Sequence, residues 1–399
     1  MKLLLDIFEK SRKDFFGPGK VLEQFEPGFD AAETFLFSPV HMTKKGPHVR
    51  DSVDTKRYMS MVIMALIPAL LFGIYNAGYQ SQLATSQSIA FIDCFTQGLI
   101  LVVPLIILSY AVGGTWEAIF AVIRKHPINE GFLVTGLLFP LILPPTIPLW
   151  QAAIGISFGV VIGKEVFGGT GMNVLNPALV ARAFCFFSYP GKMSGDNVWV
   201  YAKDASTLVD GFSGATPLAV AAAHHKMSVT DPSVVEALSA KGFDFMSMFS
   251  GLIPGSIGET STVAIMLGAL ILAIVGVASF RTMLSCVFGA MLTGLVFYNL
   301  APDGAAGIYH LPPHLHLVMG GFAFGCVFMA TDPVSSAATN LGKMIYGFGI
   351  GVLAVLIRTV NPAYPEGMML AILFMNVFAP LIDFYVIQFH IAKRRRKHE

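Results

Sequence analysis

Apolar and polar segments alternate along nearly the whole chain. Ten apolar stretches stand five on each side of one polar segment at residues 190–257. A helix needs roughly 20 mainly apolar residues to cross the hydrocarbon core of a bilayer. The pattern therefore predicts an all-α polytopic membrane protein with about ten transmembrane helices, at 58–77, 89–112, 130–148, 150–167, 174–189, 261–279, 283–301, 314–330, 344–360 and 368–391.

The same pattern divides the chain into five parts. A polar N-terminal arm (1–56) precedes a first five-helix repeat (57–189), and a polar insert (190–257) leads to a second five-helix repeat (258–391) and a basic tail (392–399). Because five is an odd number of crossings, the second repeat starts from the opposite side of the membrane. The two repeats are therefore predicted to be inverted with respect to each other.

Glycine and proline at matching places in the two halves predict broken helices. The third span starts at Glu130-Gly131-Phe132 and the eighth contains Gly320-Gly321-Phe322, while the fifth and tenth each follow Asn-Pro-Ala, at Asn176 and Asn361. A broken helix frees backbone groups, which must then face protein, a cofactor or water. The alternative is coincidence, because both residues are frequent in membrane helices.

Charge gives the orientation. Cytoplasmic loops are rich in Lys and Arg, and basic residues crowd the first span, follow the second at Arg124-Lys125 and end the chain at 393–397, whereas 78–88 is uncharged. Both termini are therefore predicted to be cytoplasmic, with the insert outside a bacterial inner membrane. Charged residues make up 13% of the chain and the net charge is +1, so nothing in the composition favours nucleic acid as a partner.

The four cysteines are far apart and lie in apolar stretches, at positions 94, 185, 286 and 326. Zinc and iron–sulfur sites require closely spaced ligands such as a CxxC pair. We therefore expect no metal site built on these cysteines.

The polar insert carries one motif, Asp210-Gly211-Phe212-Ser213-Gly214-Ala215-Thr216. Alone, such a run of small residues is typical of a turn. It resembles the flavinylation motif D-x-x-[ST]-G-A-T, in which the last threonine takes FMN in phosphoester linkage. Small residues before the threonine would let a transferase and the flavin approach the backbone closely.

Other segments carry a resemblance that covers essentially the whole chain. They resemble the B subunit of the sodium-translocating NADH:quinone oxidoreductase. The D subunit of the related Rnf complex shares the membrane fold and the flavin motif, but the long arm before the first span favours the first family. The matching segments begin at His48, Lys164, Ile253, Met329 and Asn361.

The resemblance implies a respiratory function. Complexes of this family pass electrons from NADH, through flavins and iron–sulfur centres in other subunits, to ubiquinone, and couple this to ion export. It implies covalent FMN on Thr216, with Asp210, Ser213, Gly214 and Ala215 around it, and attributes a non-covalent riboflavin and quinone binding to the same subunit. The implied partners are an NADH-binding flavin and iron–sulfur subunit, a second subunit with covalent FMN, small membrane subunits and an exported flavin transferase.

Polar residues in the apolar stretches are the remaining candidates. Asn173 and Asn176, after the tight turn expected at 168–171, either cap a helix or contact a flavin. That turn lacks the signature of a phosphate-binding loop, so NADH is expected to bind elsewhere in the complex. A quinone site is expected at the inner face, beside Phe35, Phe37 and His48 of the arm.

Acids at membrane depth are candidates for cation handling, because hard oxygen ligands suit Na⁺. Glu130, Asp332 and Asp383 are predicted to lie on the ion pathway, while Asp93 and Glu117 lie nearer span ends and are expected to face water. A structural role, such as capping or pairing with an arginine, remains the alternative for each acid. Arg182 and Arg358 are expected partners of such acids.

Two functions of other classes compete with the redox subunit. Inverted repeats also suit a flavin-free transporter or channel for a small solute, which predicts no bound flavin. A scaffold that only anchors redox subunits predicts that Thr216 is dispensable for quinone reduction.

Overall fold

The computed structural model describes most of the chain after the N-terminal arm: residues 10–11, 14–15, 29, 55–85, 89–125, 131–202, 209, 213–224, 232–302, 304–361 and 366–398. Helices dominate this part of the chain, as the apolar pattern predicts. Glu130, Asp210, Phe35, Phe37 and His48 lie outside the described residues.

Five helices form the membrane part of the first half. They are α1 (Thr55–Ala84), α2 (Phe91–Arg124), α3 (Gly131–Leu141), α4 (Leu149–Val161) and α5 (Pro177–Ser188). The described residues of the insert begin with a single helical turn at Pro190–Met193 and then form the short helices α6 (Pro217–Ala223), α7 (Val234–Ala240) and α8 (Phe245–Ser250).

In the described residues of the second half, five further helices follow, apart from short turns at Gly307–His310 and Leu315–Val318. They are α9 (Thr262–Val275), α10 (Phe280–Leu300), α11 (Phe322–Phe324, continued by a π-helical turn at Gly325–Met329), α12 (Asn340–Val360) and α13 (Met368–His398). Within the described residues, six helical segments are long and apolar enough to cross a bilayer, and α3, α5 and α9 are shorter apolar helices. The ten predicted apolar segments therefore all contain helix, but several are too short to cross alone.

The third and eighth predicted spans are broken, as the glycines and prolines indicated. Helix α3 ends at Leu141, shortly before Pro144 and Pro145, instead of continuing to 148. The carbonyls of Leu141 and Leu143 then accept hydrogen bonds from the backbone N–H groups of Gly258 (2.7 Å) and Ile257 (3.2 Å). The freed backbone groups are thus satisfied by another part of the protein, which a low-dielectric membrane requires. In the eighth span, Gly320 has a φ of +62° and separates a short turn from α11.

The two halves share much of their packing order, although among the described residues α1 packs along α2 and α9 makes no comparable contact with α10. In the first, α2 contacts α3 and α4, α4 contacts α5, and α3 also contacts α1 and α5. In the second, α10 contacts α11 and α12, α12 contacts α13, and α11 also contacts α9 and α13. The halves meet where α1 packs on α9 and α5 on α13. This correspondence supports the repeat, whereas its inversion across the membrane stays a prediction.

The insert does not form a separate body. Leu218, Val234, Leu238 and Met248 of its helices share one apolar core with residues 308–319 of the second half, among them Ile308, Leu311, Leu315 and Met319. Trp199 packs in a further small cluster with Ala84, at the end of α1. The insert is therefore held against one end of the helix bundle.

Candidate functional site

Thr216 is the N-cap residue of helix α6. Its side-chain oxygen accepts a hydrogen bond from the backbone N–H of Ala219 (3.2 Å), and Pro217 occupies the first helical position. Threonine is a favoured N-cap, and proline is favoured at the next position because it has no N–H to leave unpaired. The local sequence therefore fixes the start of α6 and leaves the Thr216 side chain half-buried at the edge of a pocket.

The rest of the motif is only partly at the surface. Ser213 is exposed, whereas Gly214 and Ala215 are buried. A Cβ atom on Gly214 would lie 2.3 Å from the carbonyl oxygen of Asp196, well inside the contact distance. Glycine is thus required there by the chain's own packing. The explanation offered from sequence, that small residues admit a transferase and a flavin, stays a prediction.

We call the cavity that Thr216 lines the outer pocket, because the insert is predicted to lie outside the membrane. It holds about 360 Å³ of empty space, counting its mouth. Its walls come from α6, from segment 253–260 and from two further residues, Gly320 and Glu366. The lining residues are Thr216, Pro217, Leu218, Ile253, Pro254, Gly255, Ser256, Glu259, Thr260, Gly320 and Glu366.

Segment 253–260 is fixed against α1 by a buried amide. Asn76 donates hydrogen bonds from Nδ2 to the Ile253 carbonyl (3.0 Å) and to Oγ1 of Thr260 (3.3 Å). A Cβ on Gly73, one helical turn earlier, would meet the carbonyl oxygen of Ile257 at 2.1 Å. Only glycine permits this close approach, so α1 positions the floor of the outer pocket.

Two buried arginines lie under the outer pocket. Arg182 of α5 pairs with the carboxylate of Glu366 and donates from Nε to the carbonyl of Ile142 (2.8 Å). Arg358 of α12 is fully buried. It donates to the carbonyl oxygens of Glu366 (3.0 Å), His316 (2.6 Å) and Met319 (2.9 Å). Arg182 therefore pairs with an acid in a loop and not with one of the acids expected at membrane depth, and Arg358 donates to backbone carbonyls instead.

Two polar atoms of the outer pocket have no hydrogen-bond partner. They are Oε1 of Glu259 and Oγ of Ser256. The exposed fractions of these residues are 5% and 3%. An unpaired buried polar atom costs about 1–3 kcal/mol, so such atoms mark places where a ligand or water completes the structure. Sequence reasoning did not select either residue, because a lone acid before an apolar stretch carries no local signal of burial.

A second and larger cavity, the inner pocket, lies between the two halves. It encloses about 720 Å³ of empty space when its open mouth is counted. Its apolar wall includes Met59, Val62, Leu138, Leu272 and Phe328. Its polar lining is Tyr58, Thr135, Lys164, Thr170, Asn173, Asn176, Thr331 and Asp332.

Asn176 and Asp332 meet in the inner pocket although 156 positions separate them. Oδ1 of Asn176 accepts from the N–H groups of Ala178 (3.0 Å) and Leu179 (3.4 Å), which confirms the capping interpretation. Its Nδ2 donates to Asp332 (3.4 Å), and the Asp332 carboxylate also accepts from the hydroxyl of Ser335 (2.6 Å). One amide therefore caps a helix of the first half and holds an acid of the second.

The glycine-rich turn beside these residues has the tight form expected from sequence. Gly168, Gly169 and Gly171 all have φ between +91° and +119°. The turn presents Thr170, whose buried Oγ1 has no hydrogen-bond partner, and leads into Asn173, whose Nδ2 donates to the Leu175 carbonyl (2.9 Å). The inner pocket thus also contains an unsatisfied polar atom.

Two buried side chains, Asn376 and Tyr346, are hydrogen-bonded to each other next to Asn176. In the amide orientation that satisfies its neighbours, Asn376 of α13 accepts from the backbone N–H of Asn176 (3.2 Å) and donates to the Ile372 carbonyl (3.2 Å). The hydroxyl of Tyr346 lies 2.5 Å from the same amide. Both side chains are fully buried. Because Asn376 is an isolated polar residue in an apolar helix, the sequence alone did not indicate this contact.

Glu117 of α2 does not face water, so the expectation for this acid is wrong. Its side chain is 4% exposed and pairs with Lys164, which is itself 3% exposed and lines the inner pocket. The adjacent Glu165 pairs with Arg124 (3.0 Å). Helix α2 continues to Arg124 and covers the turn after α4, which buries these charges. Asp93, in contrast, is exposed in the first turn of α2.

Asp383 has a structural role. Its carboxylate accepts hydrogen bonds from the N–H groups of Ala338 (2.6 Å) and Thr339 (3.0 Å) and from the Thr339 hydroxyl (2.5 Å). Thr339 in turn caps α12. Asp383 does not line the inner pocket, whereas Gly131, next to Glu130, does. Of the three predicted ion-pathway acids, the structure places only Asp332 in a described cavity.

Comparison with known proteins agrees with the resemblance found in the sequence. The model of the NQR2, RnfD, RnfE family matches residues 42–392. The B subunit of Na(+)-translocating NADH-quinone reductase from Ectopseudomonas mendocina is 48% identical over 402 residues, 95% of this chain and 96% of that protein. The proteins of the same name from Azotobacter vinelandii and Chromohalobacter salexigens are 47% and 45% identical, and the matches cover 95% and 96% of this chain and 96% and 94% of theirs. The chain belongs to the NQR2, RnfD, RnfE family.

Proposed function

We propose that this chain is the B subunit of a sodium-translocating NADH:quinone oxidoreductase, a membrane flavoprotein that passes electrons to ubiquinone while Na⁺ is exported. The observation that carries the proposal is the half-buried Thr216 at a pocket with unsatisfied buried polar atoms, in a chain about 45–48% identical to proteins of that name. The partners of such a subunit are the NADH-binding flavin and iron–sulfur subunit, the second covalent-FMN subunit and small membrane subunits.

Thr216 is the covalent FMN site in this proposal. The residues present suit the group: a hydroxyl at the pocket edge for the phosphoester, and Ser256 and Glu259 below it without partners. Bound flavin accepts and releases one or two electrons. The chain's own contribution is to fix the attachment point at the start of α6 and to hold the pocket floor rigid through Asn76 and Gly73.

Mass spectrometry of the Thr216 peptide tests the attachment. Wild-type protein is expected to carry an FMN-sized adduct and to fluoresce in a denaturing gel, and Thr216→Ala is expected to lose both. Ser233→Ala is a matched control, because Ser233 is the N-cap of α7 in the same insert and its loss removes a comparable cap. An adduct that persists in Thr216→Ala would refute the assignment.

The inner pocket is proposed to bind the non-covalent riboflavin. Its apolar walls suit an aromatic ring system, and Thr170, Asn173 and Asn176 provide polar groups for the ring edge. Asn173→Ala is expected to lower the riboflavin that acid extracts from purified protein, because Asn173 lines the pocket without capping α5. Thr216→Ala is expected to leave that extractable riboflavin unchanged. Ubiquinone is proposed to bind near the inner face, between the arm and the first-half helices.

The coupling cation is proposed to be handled by Asp332 together with Glu130, whereas the hydrogen bonds of Asp383 to the turn at Thr339 favour the structural alternative for that acid. Support is strongest for Asp332, whose carboxylate lines the inner pocket between the two halves. Neutralising an acid that handles the ion raises the Na⁺ concentration needed for half-maximal quinone reduction and leaves the flavins bound. Neutralising an acid that only supports structure lowers yield or stability instead.

The proposed location is a bacterial inner membrane with both termini in the cytoplasm and the insert outside. Tyr58 lines the inner pocket and Asn76 holds the floor of the outer one, and 18 residues of helix α1 separate them by about 27 Å, close to the thickness of a bilayer core. In this orientation an exported transferase reaches Thr216. A flavin-free transporter predicts no adduct. The D subunit of an Rnf complex shares the adduct but would be purified with a different set of partners.

A further inference from the structure

The outer pocket contains a buried carboxyl oxygen that forms no hydrogen bond of ordinary geometry within the protein. Glu259 has a 5% exposed side chain, and its Oε1 has no hydrogen-bond partner. Among the described residues, no lysine or arginine nitrogen forms an ion pair with it, because Arg182 pairs with Glu366 and Arg358 is bonded to three backbone carbonyls. Ser256, in the same lining, has an unpaired Oγ.

The chemistry of these atoms selects the kind of ligand. In its ionised form the Glu259 carboxylate only accepts hydrogen bonds, so the partner that it lacks is a donor, whereas the Ser256 hydroxyl can either donate or accept. A further cation is disfavoured by the two buried arginines of the same cluster. A hydroxyl-bearing carbon chain fits both features, since it donates to Glu259 and Ser256 and packs on Pro217, Leu218 and Ile253.

The order of the chemical groups in FMN indicates that this flavin can supply such a hydroxyl-bearing chain. In FMN the ribityl chain, which carries hydroxyl groups, is bonded next to the phosphate. If the phosphate is attached to Thr216, the ribityl chain is the first part of the flavin that reaches the outer pocket. We propose that Glu259 and Ser256 form a docking subsite for the ribityl hydroxyls of the flavin tethered to Thr216, an inference that rests on the FMN attachment proposed above.

Docking of this kind holds the flavin ring in one place relative to the bundle. A tether through a single threonine at a surface helix leaves several rotatable bonds, and each bond fixed by the pocket removes alternative positions of the ring. Glu259 and Ser256 are therefore positioning residues. They act through the ribityl chain and not on the reacting atoms of the ring.

Time-resolved fluorescence anisotropy of the flavin attached to the full-length chain tests the subsite. The variants are Glu259→Leu, which removes both carboxylate oxygens, and the milder Ser256→Ala. The fluorescence of Thr216→Ala protein, which carries no flavin at that position, is subtracted from each signal. Loss of a hydrogen bond to a charged group is expected to lower the ratio of immobile to mobile flavin about tenfold. Glu236→Gln, an exposed acid of the capping box on α7, is the matched control and is expected to leave the ratio unchanged.

Mass spectrometry of the Thr216 peptide on each sample separates the possible failures. An adduct on Thr216 with unchanged anisotropy in Glu259→Leu and Ser256→Ala would overturn the subsite and leave the FMN attachment standing. Absence of the adduct from wild-type protein would overturn both. If Glu259→Leu does not accumulate as folded protein, Ser256→Ala decides the result, and unchanged flavin mobility in that variant counts against the subsite.

Discussion

The buried ion pair of Glu117 and Lys164 offers the sharpest test of the helix packing beside the inner pocket. Both side chains are at most 4% exposed, so neither charge is screened by water. Removing Lys164 takes a compensating charge away from Glu117 and from Glu165, whose Oε1 lies 4.0 Å from Nζ, and loss of one member of a buried pair costs about 3–5 kcal/mol. Lys164→Met is therefore expected to lower the free energy of unfolding by that amount.

The double variant separates the stranded charge from lost packing. Glu117→Gln in the Lys164→Met background removes the Glu117 charge, while Glu165 keeps its pair with Arg124. Replacing both members of a buried pair by uncharged residues is often nearly neutral. Most of the lost stability is expected to return. This recovery is a coupling between the two sites, which independent surface charges do not show.

The measurement is equilibrium unfolding of purified protein in mixed micelles, followed by the far-ultraviolet circular dichroism of the helices. Lys192→Met is the matched control, because Lys192 is exposed just after α5 and its loss is expected to change stability by less than about 0.5 kcal/mol. The reasoning fails if Lys164→Met behaves like Lys192→Met, or if the double variant is no more stable than Lys164→Met alone.

Three further predictions address the proposed sites. Asp332→Asn is expected to raise the Na⁺ concentration for half-maximal quinone reduction with both flavins retained; an unchanged Na⁺ titration would make this acid structural. Asp383→Asn is expected to destabilise the start of α12 by about 1–3 kcal/mol, because its charge assists hydrogen bonds to the turn at Thr339, and unchanged stability would contradict that role. Gly214→Ala is expected to reduce FMN incorporation, since the added methyl group meets a carbonyl oxygen at 2.3 Å and displaces the segment before Thr216; full incorporation, measured by mass spectrometry, would argue against that rigidity.

Much of the architecture follows from local features of the sequence. The length and composition of the apolar stretches account for the helices, since each helix satisfies its own backbone hydrogen bonds and needs no distant partner to be recognised. The same is true of caps and turns, such as Asn176 before α5 and the positive φ angles at Gly168 and Gly169. The motif ending at Thr216 is also local, and its resemblance to a flavinylation site needs only consecutive residues.

What the tertiary structure decided is which distant residues meet. Asn176 and Asp332 come from different halves, and Ser256 and Glu259 reach the pocket of Thr216 only because α1 admits segment 253–260 at Gly73. The length of α3, and the burial of Glu117 by the continuation of α2, likewise depend on neighbours. A periodic pattern indicates whether a residue lies in a helix. Burial, ion pairing and the cavities that can bind a ligand depend instead on the contacts between helices, which no single stretch of sequence contains.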